Sequence, residues 1–298
     1  MRNCKPTRWP ARLLAVLVQA LLLGAFAPSS TLAAPPAGAR ASVSANWAGY
    51  IAVPSTRVAS RFSSVSASWR APSAACSAGR ETYSAVWVGL GGYSQHARAL
   101  EQIGTDANCA PEGDAIYSSW YELVPAAPVN LPLQVRPGDE MSASVAIKSH
   151  EVALRISDLT TGAHFAKAVR SAIVDRSSAE WIVEAPSVCA GRSTCHILPL
   201  TDFGEVTFAS AYATARSHTG TIVDPHWWAS ALQLRQHALT GGGGRPGTHT
   251  DHAPAMTLAT PSSLSSSGGK FSVSWQEQLI GREQPSRAPP PGFGGGPG

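Results

Sequence analysis

Residues 178–186 read Ser-Ala-Glu-Trp-Ile-Val-Glu-Ala-Pro. This period-two alternation predicts a β-strand that carries Glu180, Ile182 and Glu184 on one face and the intervening Trp and Val on the other. A carboxylate held on a rigid strand beside Ile and Val has its pKa raised by desolvation, which suits it to the proton exchange of hydrolysis. By itself the alternation is more typical of Glu side chains that face solvent on a half-buried strand. Other segments therefore decide the function.

Short alternating segments recur from Ser42 to about Gln278, separated by Gly, Pro, Ser and Asn. The further segments predicted as strands are Ser44–Ile51, Ser64–Trp69, Tyr83–Leu90, Ala115–Leu123, Met141–Ile147, Val152–Asp158, Val206–Ala213 and Phe271–Gln276. Only Trp227–His237 is predicted as a helix. About 240 residues suffice for one large core, so we expect a single all-β domain, a sandwich or a barrel.

The first 34 residues predict a secretory signal peptide. Four basic residues precede an apolar run from Leu13 to Phe26, and Thr31–Ala34 offers small residues for cleavage. No later stretch has the roughly 18 apolar residues that cross a bilayer, so we expect a secreted protein without membrane contact after cleavage. The expected organisation is a signal peptide at 1–34, a short segment at 35–45, the β domain at 46–280 and a disordered Pro/Gly-rich tail at 281–298, with a flexible Gly-rich loop at 241–247.

The charge balance argues against nucleic acid as a partner. The chain has 23 basic and 19 acidic residues, and the signal holds four of the basic ones and none of the acidic ones. Cleavage would leave equal numbers of both signs, which offers no electrostatic basis for binding a phosphate backbone. We expect a monomer.

Four cysteines remain after the signal, since Cys4 lies within it. They allow three disulfide pairings in an oxidising compartment. The short, Gly-containing segment between Cys189 and Cys195 favours a local disulfide, which pairs Cys76 with Cys109. A zinc site is the alternative, but no Cys-x-x-Cys pair is present.

The motifs of common hydrolases are missing. Gly-x-Ser-x-Gly and the Asp-Thr-Gly or Asp-Ser-Gly of pepsin-type enzymes do not occur, and His150-Glu151 lacks the second His of a zinc-protease helix. His249 and His252 could touch a metal, but they lie beside the Gly-rich stretch, where a surface loop is more typical. Neither a metal nor a cofactor is expected.

Five segments combine tryptophans and glycines with carboxyl or amide groups. They are Asn46–Tyr50, Trp87–Gly92, Leu100–Asp106, Tyr117–Pro125 and Glu180–Glu184. Aromatic residues at this density line grooves that bind extended polymers, either peptide or sugar. Taken singly, each of the tryptophans Trp47, Trp87 and Trp120 is more typical of a core anchor.

In this order and spacing the five segments resemble those of the glutamic peptidases, or eqolisins, which are secreted, acid-active endopeptidases. The resemblance runs from Asn46 to about Tyr212 and continues weakly to Phe271–Gln276. It implies a lectin-like, concanavalin A-type sandwich of two antiparallel sheets and protein or peptide substrates. It also implies a catalytic dyad of one Gln and one Glu on a concave face.

The resemblance assigns roles to positions of this chain. Gln102 and Glu184 match the catalytic dyad, whereas Glu180 is similar to a structural Glu of the family. Cys189 and Cys195 match a disulfide that follows the catalytic Glu. The positions similar to the family's cleft residues, which we expect to bind substrate, are Trp47, Gly49, Trp87, Gly92, Gly104, Asp106, Trp120 and Glu122.

Elementary chemistry agrees with this dyad. Glu184 can take a proton from water and return it to the leaving amine. The Gln102 amide has both a donor and an acceptor, so it can hold the water and stabilise the oxyanion. Since an amide does not titrate, pH control falls on Glu184, with Glu122 and Asp106 as modulators. We expect activity at acid pH, no metal requirement and no covalent intermediate.

Two other functions fit the same pattern. A secreted carbohydrate-binding, lectin-like module would use the sandwich and the tryptophans, with Gln102 and Glu184 as ligands of sugar hydroxyls. A glycoside hydrolase would need two carboxylates that flank the scissile bond, which Glu122 and Glu184 could supply. A lectin has no need of a Gln and a Glu that converge on one water, so the placement of this pair discriminates between the hypotheses.

Overall fold

Side chains alternate between two environments along most of the chain, and this alternation produces strands. In Glu140–Lys148, for example, Met141, Ala143, Val145 and Ile147 are buried and the residues between them are not. Period two is the repeat of a strand with one face toward a core. The computed structural model describes residues 39–55, 61–94, 96–190, 194–237 and 255–277, and every regular element in these ranges is a strand.

The described strands have these bounds: β1 Ala39–Ser44, β2 Trp47–Pro54, β3 Phe62–Arg70, β4 Ala85–Gly91, β5 Leu100–Cys109, β6 Ala115–Val124, β7 Val129–Asn130, β8 Glu140–Lys148, β9 Glu151–Asp158, β10 His164–Arg170, β11 Ala179–Glu184, β12 Ser187–Ala190, β13 Thr194–Ile197, β14 Glu205–Ala215, β15 His218–Thr221, β16 Trp227–His237, β17 Ala255–Pro261 and β18 Phe271–Trp275.

The strands form one long ladder that folds over on itself. Its hydrogen-bonded order is β10-β9-β8-β3-β14-β18-β17-β16-β2-β11-β4-β5-β6-β7, with β15 beside β14 and β1 beside β16. Every pairing along this order is antiparallel, and β1 joins β16 in parallel. Strands β3, β8 and β14 pack across from β4, β5 and β11. The fold is therefore the predicted antiparallel β-sandwich of two layers.

The segment Trp227–His237 is strand β16, so the predicted helix is wrong. One edge of β16 pairs with β2 over Trp227–Leu232, and the other edge pairs with β1 and β17. Its Ala, Leu, Gln and Arg residues are good helix formers, but helix propensity amounts to less than about 1 kcal/mol per residue. Pairing on both edges satisfies the backbone of the strand and overrides that local preference. The segment Leu100–Asp106, which was identified only as a motif, lies within strand β5.

Two apolar clusters lie on opposite faces of the layer that contains β11. Trp181 and Val183 belong to the main core between the layers, together with Phe208 of the facing layer. Ile182 belongs to a smaller cluster on the outer face, together with Trp87. The alternation predicted for β11 is therefore confirmed, and the outer face is the one that carries Glu180 and Glu184.

Two disulfides hold the loops at one end of the sandwich. Cys76 is bonded to Cys109 and Cys189 to Cys195, which confirms the predicted pairing. The second disulfide joins opposite residues of the β12–β13 hairpin.

The ends of the chain are only partly covered by the structure. Strand β1 begins at Ala39, inside the segment 35–45 that was expected to precede the domain, and it pairs with β16. The expected signal peptide, the Gly-rich loop at 241–247, His249, His252 and the tail at 281–298 lie outside the described residues. Within the described ranges, no helix is long and apolar enough to span a membrane.

Candidate active site

Strands β5 and β11, which lie on either side of β4, carry the predicted catalytic residues on a single face of the sheet. Gln102 of β5 and Glu180 of β11 lie opposite the same residue of β4, Gly89. Residues opposite one another in a ladder point to the same face, and so do residues four apart along a strand, which places Glu184 with Gln102. The other predicted residues on this face are Trp47, Gly49, Trp87, Gly104, Asp106, Trp120 and Glu122.

Both carboxylate oxygens of Glu184 accept hydrogen bonds. Asn46 Nδ2 donates to Oε1 at 3.0 Å, and Trp87 Nε1 donates to Oε2 at 2.8 Å. Burial raises the pKa of Glu184 to about 7, hydrogen bonds such as that from Trp87 oppose the shift, and the charge of Glu122 adds to it. A carboxyl group with a pKa near 7 can accept and return a proton in weakly acidic solution.

The Gln102 side chain is oriented by Glu122. The two residues lie opposite each other in the β5–β6 ladder, and Gln102 Nε2 donates to Glu122 Oε2 at 2.6 Å. Gln102 is 4% exposed, and its buried Oε1 has no hydrogen-bond partner among the described residues. Burial raises the pKa of Glu122, and the bond from Gln102 opposes that shift. The amide therefore keeps its oxygen and one N–H free of this contact.

Asp106 accepts a hydrogen bond from the indole of Trp120 on the sheet face that also carries Gln102 and Glu184. Trp120 Nε1 donates to Oδ1 of Asp106 at 2.6 Å, and Ser118 Oγ donates to Oδ2 at 2.9 Å. Burial raises the pKa of Asp106 to about 6, and these two hydrogen bonds lower it. Asp106 thus adds a third carboxyl group with a raised pKa.

Gln102 and Glu184 line one cleft of about 260 Å³. Two larger hollows, of about 410 and 340 Å³, lie elsewhere and contain neither residue. This cleft contains the carboxyl groups with raised pKa values and the Gln102 amide oxygen, which has no partner among the described residues. We therefore select it as the candidate site, although it is smaller than the other two hollows. Its lining includes Tyr83, Gln102, Asp106, Asn108, Trp120, Glu122, Pro128, Asn130, Glu184 and Pro186.

The tryptophans of this face are packed side chains that also position carboxylates. Trp87 is fully buried and Trp120 is 6% exposed, so both serve as the core anchors that their single positions suggested. The rings of Trp47 and Trp87 meet edge to face with centroids 5.0 Å apart. Through their indole N–H groups, Trp87 holds Glu184 and Trp120 holds Asp106.

Comparison with known proteins shows the family of this chain. The profile of the peptidase A4 family matches residues 45–240, about two thirds of the chain. The chain belongs to the peptidase A4 family. The resemblance to the glutamic peptidases is thereby confirmed.

Individual members of the A4 family show the same relationship. Aspergillopepsin-2 of Aspergillus niger is 30% identical over 145 residues, which are 47% of this chain and 49% of that protein. The chain thus spans about half the length of this curated relative. The crystal structure of scytalido-glutamic peptidase with a transition state analog inhibitor is 26% identical, with a TM-score of 0.60.

The eqolisin peptidase SCP-B, solved in complex with the tripeptide Ala-Ile-His, is 24% identical with a TM-score of 0.57 and shows the same fold. Each of these two solved structures covers 79% of this chain and 100% of its own.

Three glycines predicted to bind substrate have structural surroundings. A Cβ on Gly49, whose φ is +142°, would lie 2.1 Å from the Trp181 carbonyl oxygen. A Cβ on Gly104 would lie 2.3 Å from the Val86 carbonyl oxygen, so both glycines permit close strand packing beneath the cleft. Gly92 lies beyond the end of β4, where its N–H donates to an Asp175 oxygen. Contact of the three glycines with substrate stays a prediction.

Asn46 contacts the candidate site but was not selected by the sequence analysis. It was part of the first motif, but nothing in the sequence indicated that its amide would reach Glu184 across β2 and β11. Ala185 N–H donates to the Asn46 carbonyl oxygen, which brings the two segments together. Residues that could hold a metal lie outside this cleft, at His218, Asp224 and His226.

Proposed function

We propose that this chain is a glutamic endopeptidase that hydrolyses peptide bonds with Gln102 and Glu184. The observation that carries the proposal is the pairing in one cleft of a carboxyl group whose pKa is about 7 with an oriented amide whose oxygen has no hydrogen-bond partner among the described residues. Membership of the A4 family supports it.

In the proposed reaction, ionised Glu184 takes a proton from a water molecule, and the water oxygen attacks the peptide carbonyl. Gln102 Oε1 accepts the second hydrogen of that water, and its free N–H donates to the oxyanion that forms. Glu184 then returns the proton to the amine nitrogen as the C–N bond breaks, which leaves a carboxylic acid and an amine. The enzyme forms no covalent bond to the substrate.

The carboxyl groups of the cleft set the proposed pH range. Below pH 7 the ionised fraction of Glu184 falls about tenfold per pH unit, which limits the rate on the acid side. As the pH rises, Asp106 and Glu122 ionise and their negative charge opposes the oxyanion. These opposed effects favour a weakly acidic optimum, between about pH 5 and 7.

We further propose that the enzyme is secreted and acts on proteins or peptides. Two disulfides fit an oxidising compartment, as does the predicted signal peptide. The scytalido-glutamic peptidase structures hold a transition state analog, one of which is peptide-based, and the SCP-B structure holds a tripeptide. The exposed cleft and its tryptophan are suited to an extended peptide.

The decisive experiment is cleavage of a denatured protein between pH 3 and 7, in the presence of EDTA and pepstatin, by the wild type and by Glu184→Gln and Gln102→Ala. Cleavage that survives both inhibitors and falls at least about a thousandfold in Glu184→Gln is expected. Glu151→Gln, at an exposed position of β9, serves as the control and should retain full activity.

An inactive but folded wild type would overturn the proposal and favour the carbohydrate-binding alternative. Hydrolysis of a β-glucan in place of protein would favour the glycosidase alternative.

A further inference from the structure

Three potential metal ligands meet in the turn between β15 and β16. They are His218 at the start of β15, Asp224 in the turn and His226 just before β16, and one ligand atom of each lies within 4.8 Å of the others. His218 Nε2 is 2.8 Å from Asp224 Oδ2, and His226 Nδ1 is 2.7 Å from Asp224 Oδ1. The two imidazole rings face each other with centroids 3.8 Å apart.

This cluster is remote from the catalytic cleft. Trp227, which follows His226, pairs with Pro54 at the end of β2, whereas Glu184 pairs with Trp47 at its start. Seven residues of extended strand separate the two positions, roughly 23 Å. The cluster therefore needs an explanation other than peptide hydrolysis.

We propose that His218, Asp224 and His226 form a zinc-binding site with a fourth position open to water. Two imidazole nitrogens and one carboxylate oxygen are a donor set that zinc takes in proteins. Zinc bonds of about 2.0–2.1 Å place tetrahedral ligand atoms about 3.3 Å apart. The two nitrogen–oxygen pairs, at 2.8 and 2.7 Å, would open by about half an ångström, and the widest pair of ligand atoms, within 4.8 Å, would close to reach that spacing. The ion takes the place of the protons that the carboxylate now shares with the two rings.

The surroundings of Asp224 hold its carboxylate in position. Its Oδ2 occupies the space that a Cβ on Gly220 would take, 2.0 Å away, so the absence of a side chain there admits the carboxylate. The backbone N–H of His226 donates to Oδ1 at 2.9 Å. Trp227 Nε1 donates to the carbonyl oxygens of Thr221 and Ile222, which ties the turn to the end of β15.

The exposure of the three side chains gives an ion access from solvent. The Asp224 side chain is 12% exposed, that of His218 42% and that of His226 59%. The most exposed ligand, His226, is the one whose ring can adjust when a metal enters. A largely buried carboxylate with two more exposed imidazoles suits a site that is filled after folding.

The test is calorimetric titration of the full chain with zinc chloride near pH 7.5, because a metal ligand must be an unprotonated imidazole. One zinc per chain is expected, with a rise in Tm. The substitutions His218→Ala, Asp224→Asn and His226→Gln should each weaken binding at least about tenfold, since even outer-shell partners of ligands carry that much affinity. His164→Ala, at an exposed position of β10, should bind zinc like the wild type.

Each alternative result would overturn the proposal. Unchanged binding in all three cluster variants would show that zinc sits elsewhere, and binding that is lost in a His249→Ala/His252→Ala double variant would place it at those residues. Loss in Glu184→Gln would place it in the cleft. A wild type that binds no zinc would leave the cluster as a hydrogen-bonded clamp of the turn. Circular dichroism of every variant checks the fold. His226→Gln is the variant expected to disturb the fold least, because the side chain that it replaces is largely exposed.

Discussion

Gln102 donates its side-chain N–H to Glu122 directly across the β5–β6 ladder, with 2.6 Å between Nε2 and Oε2. This contact decides which way the amide points, because an amide whose nitrogen faces a carboxylate must turn its oxygen away from it. The oxygen so turned is Gln102 Oε1, which is buried and has no hydrogen-bond partner in the described part of the chain. Glu122 is thus a positioning residue for one member of the proposed dyad and a source of negative charge for the other.

Replacement of Glu122 separates these two roles. Glu122→Gln keeps an acceptor for Gln102 but removes the charge that raises the pKa of Glu184. That pKa falls, so the acid limb of the kcat/KM profile should move to lower pH by up to about one unit. Glu122→Ala removes the acceptor as well, and kcat should fall by about a hundredfold as the amide loses its orientation. If both Glu122→Gln and Glu122→Ala had the pH profile and the kcat of the wild type, the role of Glu122 in positioning Gln102 and in raising the pKa of Glu184 would be refuted.

The hydrogen bond from Trp87 to Glu184 stabilises the ionised carboxylate. Trp87→Phe keeps most of the buried ring but removes this donor. The pKa of Glu184 then rises above about 7, and the acid limb of the rate profile moves to higher pH by about one unit. Activity at pH 5 should fall about tenfold, with less change at pH 7. The check is kcat/KM against pH.

Trp228→Phe is the matched control for this change. It also removes an indole donor, which bonds to the Ser55 carbonyl oxygen, but at the far end of β2 from Glu184. Its profile should coincide with that of the wild type, and an equal shift in both variants would contradict the assignment to Glu184.

Much of the fold follows from local pattern in the sequence. Alternation placed Trp181 in the core and Glu184 on the opposite face because period two leaves a strand no other choice. The pairing partners of a strand, by contrast, do not follow from this alternation. The parallel pairing of β1 and the strand form of β16 depend on segments far apart in the chain, and β16 has residues that locally suit a helix.

The candidate site likewise has one part that the sequence predicted and another part that it did not. Gln102 and Glu184 were selected through resemblance to a family, and their common face follows from the strand period. The hydrogen bonds of Asn46 and Glu122 were not predictable, because they depend on which residues lie opposite each other once register is set. His218, Asp224 and His226 escaped notice because their spacing matches no familiar metal motif, and a tight turn brings them together.

Gly104 gives Trp87 its place beneath the cleft. A Cβ at this position would lie 2.3 Å from the Val86 carbonyl oxygen and 2.6 Å from Trp87 Cβ. Gly104→Ala should therefore force β4 and β5 apart, with a loss of about 1–3 kcal/mol in the free energy of unfolding and a fall in kcat. Urea denaturation and peptidase assays measure both effects.

The control for Gly104→Ala is Gly269→Ala. There the nearest atom to a new Cβ, in Thr221, is 3.4 Å away, an ordinary contact. This variant should keep its stability within about 0.5 kcal/mol. A Gly104→Ala protein as stable and active as the wild type would show that the strands accommodate the methyl group.

Two buried carboxyl groups that do not line the cleft make stability depend on pH. Glu101 and Glu180 are fully buried, and three of their four carboxyl oxygens lack hydrogen-bond partners among the described residues. Burial raises the pKa of Glu101 to about 8, and burial together with the charges of Asp175 and Glu101 raises that of Glu180. Both groups are therefore neutral in the folded protein at acid pH.

The direction of the effect follows from proton binding. Above pH 4.5 the unfolded chain releases these protons, while the folded protein keeps that of Glu101 until about pH 8 and also retains that of Glu180, whose pKa is raised, so stability is full below pH 4.5 and declines as the pH rises. The decline is roughly 1.4 kcal/mol per pH unit for each group. Urea midpoints at pH 4, 6 and 8 should fall steadily in the wild type. Glu180→Gln and Glu101→Gln should each flatten the decline, because an amide in place of the carboxyl group does not titrate.

Glu151→Gln should leave the slope unchanged, since this residue is exposed on β9. A wild type whose stability is constant from pH 4 to 8 would show that the buried carboxyl groups ionise without penalty. Stability that instead rises with pH would contradict the raised pKa values of Glu101 and Glu180. The expected decline would make the folded enzyme most stable in the acidic range in which Glu184 is proposed to act, so that burial of carboxyl groups underlies both the raised pKa of Glu184 and the pH dependence of stability.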